Sequence, residues 1–107
     1  MTNKPLLKIE DTFLIHGRGL IVAPALPLPT SGSFRPRQDK VIVYRPDGTE
    51  VELEARFQLE HFHLVDGGTQ LSIIVIFPNS SQDDVPAGSE VMVSENVFSA
   101  LRGGPIR

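Results

Sequence analysis

Residues 44–59, "YRPDGTEVELEARFQL", constrain the fold more than any other part of the chain. Val51, Leu53, Ala55, Phe57 and Leu59 alternate without a break with Glu50, Glu52, Glu54, Arg56 and Gln58. A helix turns by about 100° per residue and would scatter these apolar positions around its surface. A strand puts them all on one side, so the segment is a β-strand with one buried and one solvated face. Pro46-Asp47-Gly48 ahead of it is a turn, in which proline presets the first position and glycine takes the left-handed one at no steric cost. "DKVIVY" supplies the partner strand. Beyond Leu59 the phase slips, since Phe62 and Leu64 lie an odd step on. Keeping them inward calls for a β-bulge near Glu60-His61.

The remaining segments fit the same class. Residues 6–15 and 20–25 read as strands rich in Ile, Leu, Val and Phe, with Gly17 and Gly19 between them. Prolines and a glycine deny residues 24–39 both helix and central strand. "LSIIVIF", residues 71–77, is apolar on both faces and reads as a central strand. "PNSSQDDVPAG" is a surface connection with one helical turn capped by Ser81 or Asp83, and "SEVMVS" is the last clear strand. Residues 94–107 read either as an extended tail or as a short helix. In the helix Val97, Phe98 and Leu101 face inward, Arg102 sits in the last turn, Gly103 lies just past it and Pro105 beyond. Six short strands in 107 residues make one all-β domain. Closure into a small six-stranded barrel would hide the sheet edges. The expected core is Ile9, Phe13, Ile15, Val41, Val43, Val51, Leu53, Phe57, Ile73, Val75, Val91 and Val93.

Composition narrows the function. Apolar residues make up 40% of the chain, enough to fold. A net charge of −3 argues against a broad, non-specific nucleic-acid face. The absence of cysteine excludes disulfides, thiolate nucleophiles and zinc–thiolate sites. No apolar run reaches membrane-spanning length, so a soluble, cytoplasmic protein without membrane contact is expected.

Few motifs carry chemistry. "GRGLIV" starts like a dinucleotide loop, but the third glycine is missing and β-branched residues stand where a helix must begin. The bland reading is a tight turn in which Gly17 and Gly19 supply positive φ, leaving Arg18 as a free cation on a rigid hairpin. His61 and His63 form H-x-H on a strand, with Asp66 near in sequence. This is a weak metal-site candidate without a second ligand cluster, and two solvated histidines explain it more cheaply. Pro24 to Pro27 is a P-x-x-P, read first as a stiff loop and second as a polyproline ligand. "LRGG" is followed by Pro-Ile-Arg, so no free diglycine end exists. No nucleophile–base spacing assembles, and the Glu50/Glu52/Glu54 run is a solvated face. The expectation is a non-enzyme without cofactor or nucleoside triphosphate.

One resemblance emerges from the order of these pieces. Ile9-Glu10-Asp11, Phe13 and Ile15, then Gly17-Arg18-Gly19 and a Val-rich strand, resemble the start of domain 2 of elongation factor Tu and other translation GTPases. Leu59-Glu60-His61-Phe62 with Asp66-Gly67-Gly68, and "DDVPAGSEVMV", resemble two later segments of that domain. The similarity spans about residues 6–93, least in 26–56. It implies the six-stranded translation barrel. It also places Gly17, Arg18, Gly19 and Glu60 near the surface that holds the aminoacylated 3′ end of tRNA. Arg18 would meet phosphate there, and Glu60 would accept from ribose or base.

Departures from the family pattern open a second reading. The 107 residues hold no GTPase domain, Leu20 replaces the small or polar residue that usually follows the glycines, and the proline-rich loop is foreign to the family. The acidic strand face would also repel an acceptor stem. The expected partner is therefore RNA or a protein. A protein-interaction module or a homodimer formed through an uncovered sheet edge is the alternative.

Overall fold

The computed structural model describes residues 3–27 and 34–102. Its seven strands are β1 (Asn3–Lys8), β2 (Asp11–Ile15), β3 (Gly19–Leu26), β4 (Arg37–Tyr44), β5 (Glu50–His63), β6 (Thr69–Phe77) and β7 (Glu90–Ser94), followed by one helix, α1 (Glu95–Arg102). They form a single sheet in the order β1-β7-β4-β5-β6-β3-β2, and every pairing is antiparallel. The described residues are all-β in class with one small helix. No helix among the described residues is long and apolar enough to cross a membrane.

Seven strands appear where the sequence suggests six, because residues 6–15 are two strands and not one. Ile9 and Glu10 part them, and hydrogen bonding changes sides there. Ile9 N–H donates to Ser89 O and Ile9 O accepts from Gly88 N–H, whereas Glu10 N–H donates to Ala23 O on β3. β1 thus pairs with β7 while β2 pairs with β3. Among the described residues the hydrogen-bonded ladder does not close. Its two edge strands are nevertheless consecutive in the chain.

The β4–β5 hairpin follows its alternation. Val41↔Leu53 and Val43↔Val51 pair directly across the Pro46-Asp47-Gly48 turn. Ala55 and Phe57 are fully buried, and Val51, Leu53 and Leu59 are half-buried against the same core. The expected bulge near Glu60-His61 is absent. β5 and β6 stay in register from Arg56↔Ile76 to His63↔Thr69. Without a phase change Phe62 shares the outer face with Gln58 and Glu60, and it is exposed together with Leu64 and Val65. This end of the hairpin runs past the core, so inward and outward positions are equally wet.

Bulges occur elsewhere. Between Pro5↔Met92 and Leu7↔Val91 the β1–β7 register shifts by one residue, so the consecutive residues Leu6 and Leu7 are both buried. Between Val22↔Val75 and Leu26↔Ile73 the β3–β6 register also shifts, across a cis Ala23–Pro24 peptide.

The core gathers Ile9, Leu20, Val22, Val41, Val43, Phe57, Ile73, Val75, Phe77, Val91 and Val93 with residues outside the sheet. Val85 comes from the long β6–β7 connection, where Asp84 and Val85 N–H both donate to Ser81 O in a single turn. Val97 and Leu101 sit one turn apart on α1, which packs on β1 and β7. Ser94 caps this helix by accepting from Val97 N–H at 3.3 Å. The segment after β7 is therefore helical; Gly103 and Pro105 lie outside the described residues. Phe13 and Ile15 do not join the core as their apolarity suggests. At 48% and 41% exposure they lie on an edge strand that buries no side chain.

Candidate functional site

Ile15↔Gly19 closes the β2–β3 hairpin, and His16, Gly17 and Arg18 form its loop, with Arg18 N–H donating to Ile15 O at 3.0 Å. The two glycines are needed for different reasons. Gly17 has φ +85° with open space around it, so conformation alone selects it. Gly19 has φ +110°, and a Cβ there would stand 2.6 Å from Pro78 Cα and 2.8 Å from Phe77 O. The hairpin therefore lies hard against the end of β6, which fixes where Arg18 starts.

Arg18 is not the free cation that the sequence suggests. Its Nη2 donates to Gln58 Oε1 at 3.2 Å and to Glu60 Oε1 at 3.4 Å. Gln58 and Glu60 are on β5, and β6 lies between β5 and β3. The arginine must therefore cross the outer face of β6, where Gln58 pairs with Ile74 and Glu60 with Ser72. Ser72, Ile74 and Ile76 are 5%, 4% and 2% exposed, although they alternate with the core residues Ile73, Val75 and Phe77. This second, outward-facing burial is what "LSIIVIF" encodes by being apolar on both sides.

The register also assembles one row across this face: Phe13, Ile21, Ile76, Arg56 and Gln38. Arg56 Nε donates to Gln38 Oε1 at 3.1 Å. Between the hairpin loop and this row opens a cavity of about 480 Å³, walled by residues 14–19, Arg56 and Pro78. None of its lining residues is acidic. A smaller hollow of about 260 Å³ continues past Arg56 to Pro36, Arg37, Gln38 and Gln58.

The structure thus brings Gly17, Arg18, Gly19 and Glu60 together, although Glu60 is 42 positions from Arg18. Side chains of the ion pair are 40% and 39% exposed, so the pair contributes at most about 1 kcal/mol and opens readily. His61 and His63 do not join them. They sit on the opposite face of β5, both exposed, and Asp66 Oδ1 is engaged by Gly68 N–H at 2.9 Å. Among the described residues no three His, Asp or Glu side chains are grouped to hold a metal. Arg56, Gln58 and Leu14 are the residues that sequence reasoning missed. Arg56 and Gln58 read as ordinary members of a wet strand face, and only the register with β6 marks them out.

The free side of β2 is partly blocked. Thr12 N–H donates to Asp11 Oδ1 at 2.8 Å, and Gln82 Nε2 reaches Thr12 Oγ1 at 3.2 Å and Thr12 O at 3.5 Å. A second strand adding here would have to displace both.

Comparison of the chain with protein-family models, with curated proteins and with solved structures returned no match.

Proposed function

We propose that this chain is a non-enzymatic, cytoplasmic binding module, a barrel of the translation-factor type. It engages a macromolecule, RNA or protein, through the surface around Arg18. The barrel reading rests on the two edge strands being consecutive: β1 and β2 act as halves of one strand kinked at Ile9-Glu10, bonded to β7 on one side and β3 on the other. Counted so, six strands run round a common core.

The observation that carries the functional reading is the approach of Arg18 to Glu60 across β6, beside an open cavity free of acids. Scaffold needs account for Gly17 and Gly19, while a 3.4 Å pair at this exposure adds little to stability. A fixed charge held on a tight turn is presented to a partner at low entropic cost. Arg18→Ala should lower the unfolding free energy by less than about 1 kcal/mol. It should weaken partner binding by roughly 1–3 kcal/mol, the size of a lost charge-assisted contact. The test is a pull-down from native lysate with wild-type and Arg18→Ala protein, with and without nuclease. Equal recovery of the same partners by both proteins overturns the reading.

Protein binding without RNA is favoured by a separate observation, the exposure of Phe13, Leu14 and Ile15 on β2 next to the cavity. Salt separates the two. RNA affinity must fall steeply with ionic strength, and apolar docking must hold.

A further inference from the structure

The cavity at the β2–β3 hairpin has a composition that selects one class of ligand. Leu14, Ile15, Pro78 and the two glycines line it together with His16, Arg18 and Arg56, and more of its surface is polar than apolar. Two fixed cations share a cavity without a carboxylate, in a chain whose net charge is −3. Each arginine is steadied by a neutral amide, Arg18 by Gln58 and Arg56 by Gln38. At Arg56 such a bond orients the guanidinium without neutralising it, so its positive charge stays available to an incoming acid, whereas Arg18 also carries the exposed Glu60 pair at 3.4 Å.

The geometry points to a receptor for a short acidic–apolar peptide segment, in which an Asp or Glu carboxylate meets Arg18 and Arg56 while a neighbouring Leu, Ile or Phe packs on Phe13 and Ile15. This deepens the binding function proposed above and rests on it. Phe13 and Ile15 are 48% and 41% exposed and alternate onto the face that carries Ile21, Ile76 and Arg56, so an apolar seat stands empty at the rim of the cavity. A peptide suits the surroundings better than RNA does. Glu50, Glu52 and Glu54 line the exposed face of the same strand that carries Arg56, and a run of phosphates would have to pass them. One or two carboxylates need not.

Glu60 acquires a role in this arrangement. Its carboxylate already occupies Arg18, so a ligand acid must displace it, and Glu60 sets the affinity as an internal competitor.

A random linear-peptide library selected on the full chain provides the test. Enriched peptides should place Asp or Glu beside Leu, Ile or Phe. Changing that acid to its amide in a synthetic representative should weaken binding by roughly tenfold or more, as should Arg56→Gln in the protein. Glu60→Gln should tighten it by about two- to fivefold, by freeing Arg18 from an exposed pair. The peptide amide keeps the test independent of how well any protein variant folds. Enrichment of acid-free peptides, no enrichment at all, or indifference to the amide change overturns the inference. A single-stranded RNA oligonucleotide that binds in an Arg18-dependent way where no acidic peptide does would also overturn it, leaving the binding function itself intact. Peptide and RNA binding that both ignore Arg18→Ala would end both.

Discussion

Gly17 and Gly19 flank the same arginine, yet replacing each by alanine should have very different costs. An alanine at positive φ is strained by about 1–2 kcal/mol, and both sites carry this term. Against it, alanine restricts the unfolded chain and returns about 0.4–1 kcal/mol. At Gly17, where nothing lies within 4 Å of the new Cβ, the balance is a net loss near 1 kcal/mol. At Gly19 the new Cβ meets Pro78 Cα at 2.6 Å and Phe77 O at 2.8 Å. Carbon atoms in contact prefer about 3.5–4.0 Å, so the hairpin and the end of β6 must separate. Both obstructing atoms are backbone, and Phe77 is fully buried, so the accommodation is shared by the core. Adding an overpacking cost of about 1–3 kcal/mol brings the Gly19→Ala loss to roughly 2–4 kcal/mol. Urea melts of the two variants read the difference directly, provided the slope is unchanged. Arg18→Ala in the Gly19→Ala background should add nothing further, since the displaced loop no longer aims the guanidinium at Glu60. Equal midpoints for Gly17→Ala and Gly19→Ala would refute the claim that close approach to β6, and not turn conformation alone, fixes the hairpin.

Other expectations follow from the same geometry. Phe57→Ala should cost roughly 3–5 kcal/mol in a urea melt, while Glu52→Ala on the exposed face should cost under about 0.5 kcal/mol; similar losses would mean the strand phase is misassigned. Zinc or nickel should leave the melting temperature unchanged, because His61 and His63 face away from Glu60 and Asp66 is engaged in its own turn. A chelator-reversible rise lost in His61→Ala would contradict this. Asp47 is held below the ordinary carboxylate range by the Thr49 hydroxyl, then by the Thr49 N–H, with Arg45 adding a smaller attraction. A depressed carboxyl stabilises the fold above its unfolded-state pKa, and this stabilisation is lost as pH falls through the folded value. Thr49→Val should raise the Asp47 titration midpoint in a carboxyl NMR titration, and an unmoved midpoint would show the hydroxyl to be irrelevant.

Much of the β4–β5 hairpin is legible from residues 39–59, because one wet face and one dry face leave a single phase open. The same rule misleads at both ends of the sheet. Phe13, Ile15 and Phe62 have the right chemistry for burial, but β2 and the end of the β5–β6 hairpin have no layer above them, and periodicity carries no information about what lies opposite. Ile74 and Ile76 show the converse. Their burial follows from an unbroken apolar run, yet the pattern does not say what covers the outer face. The meeting of Arg18 with Glu60 leaves no signal in the sequence pattern, since nothing local links a hairpin loop to a position two strands away. Arg56 escaped because a charged residue on a wet face is the default, and its distinction lies wholly in strand order.

The pairing of Asn3 with Ser94 sets the order in which this molecule can be built. As the polypeptide leaves the ribosome, β1 has no partner until β7 has been synthesised, and β2 depends on β3 alone. Contacts so distant in sequence repay their loop-closure entropy only late, so the last event in folding should be the docking of β1 on β7, with α1 arriving alongside. Until then Leu6, Leu7 and Ile9 stay uncovered on a nascent strand, a natural handle for a chaperone. A chain stalled before β7 should remain protease-sensitive along β1 while its β4–β5–β6 meander is already protected.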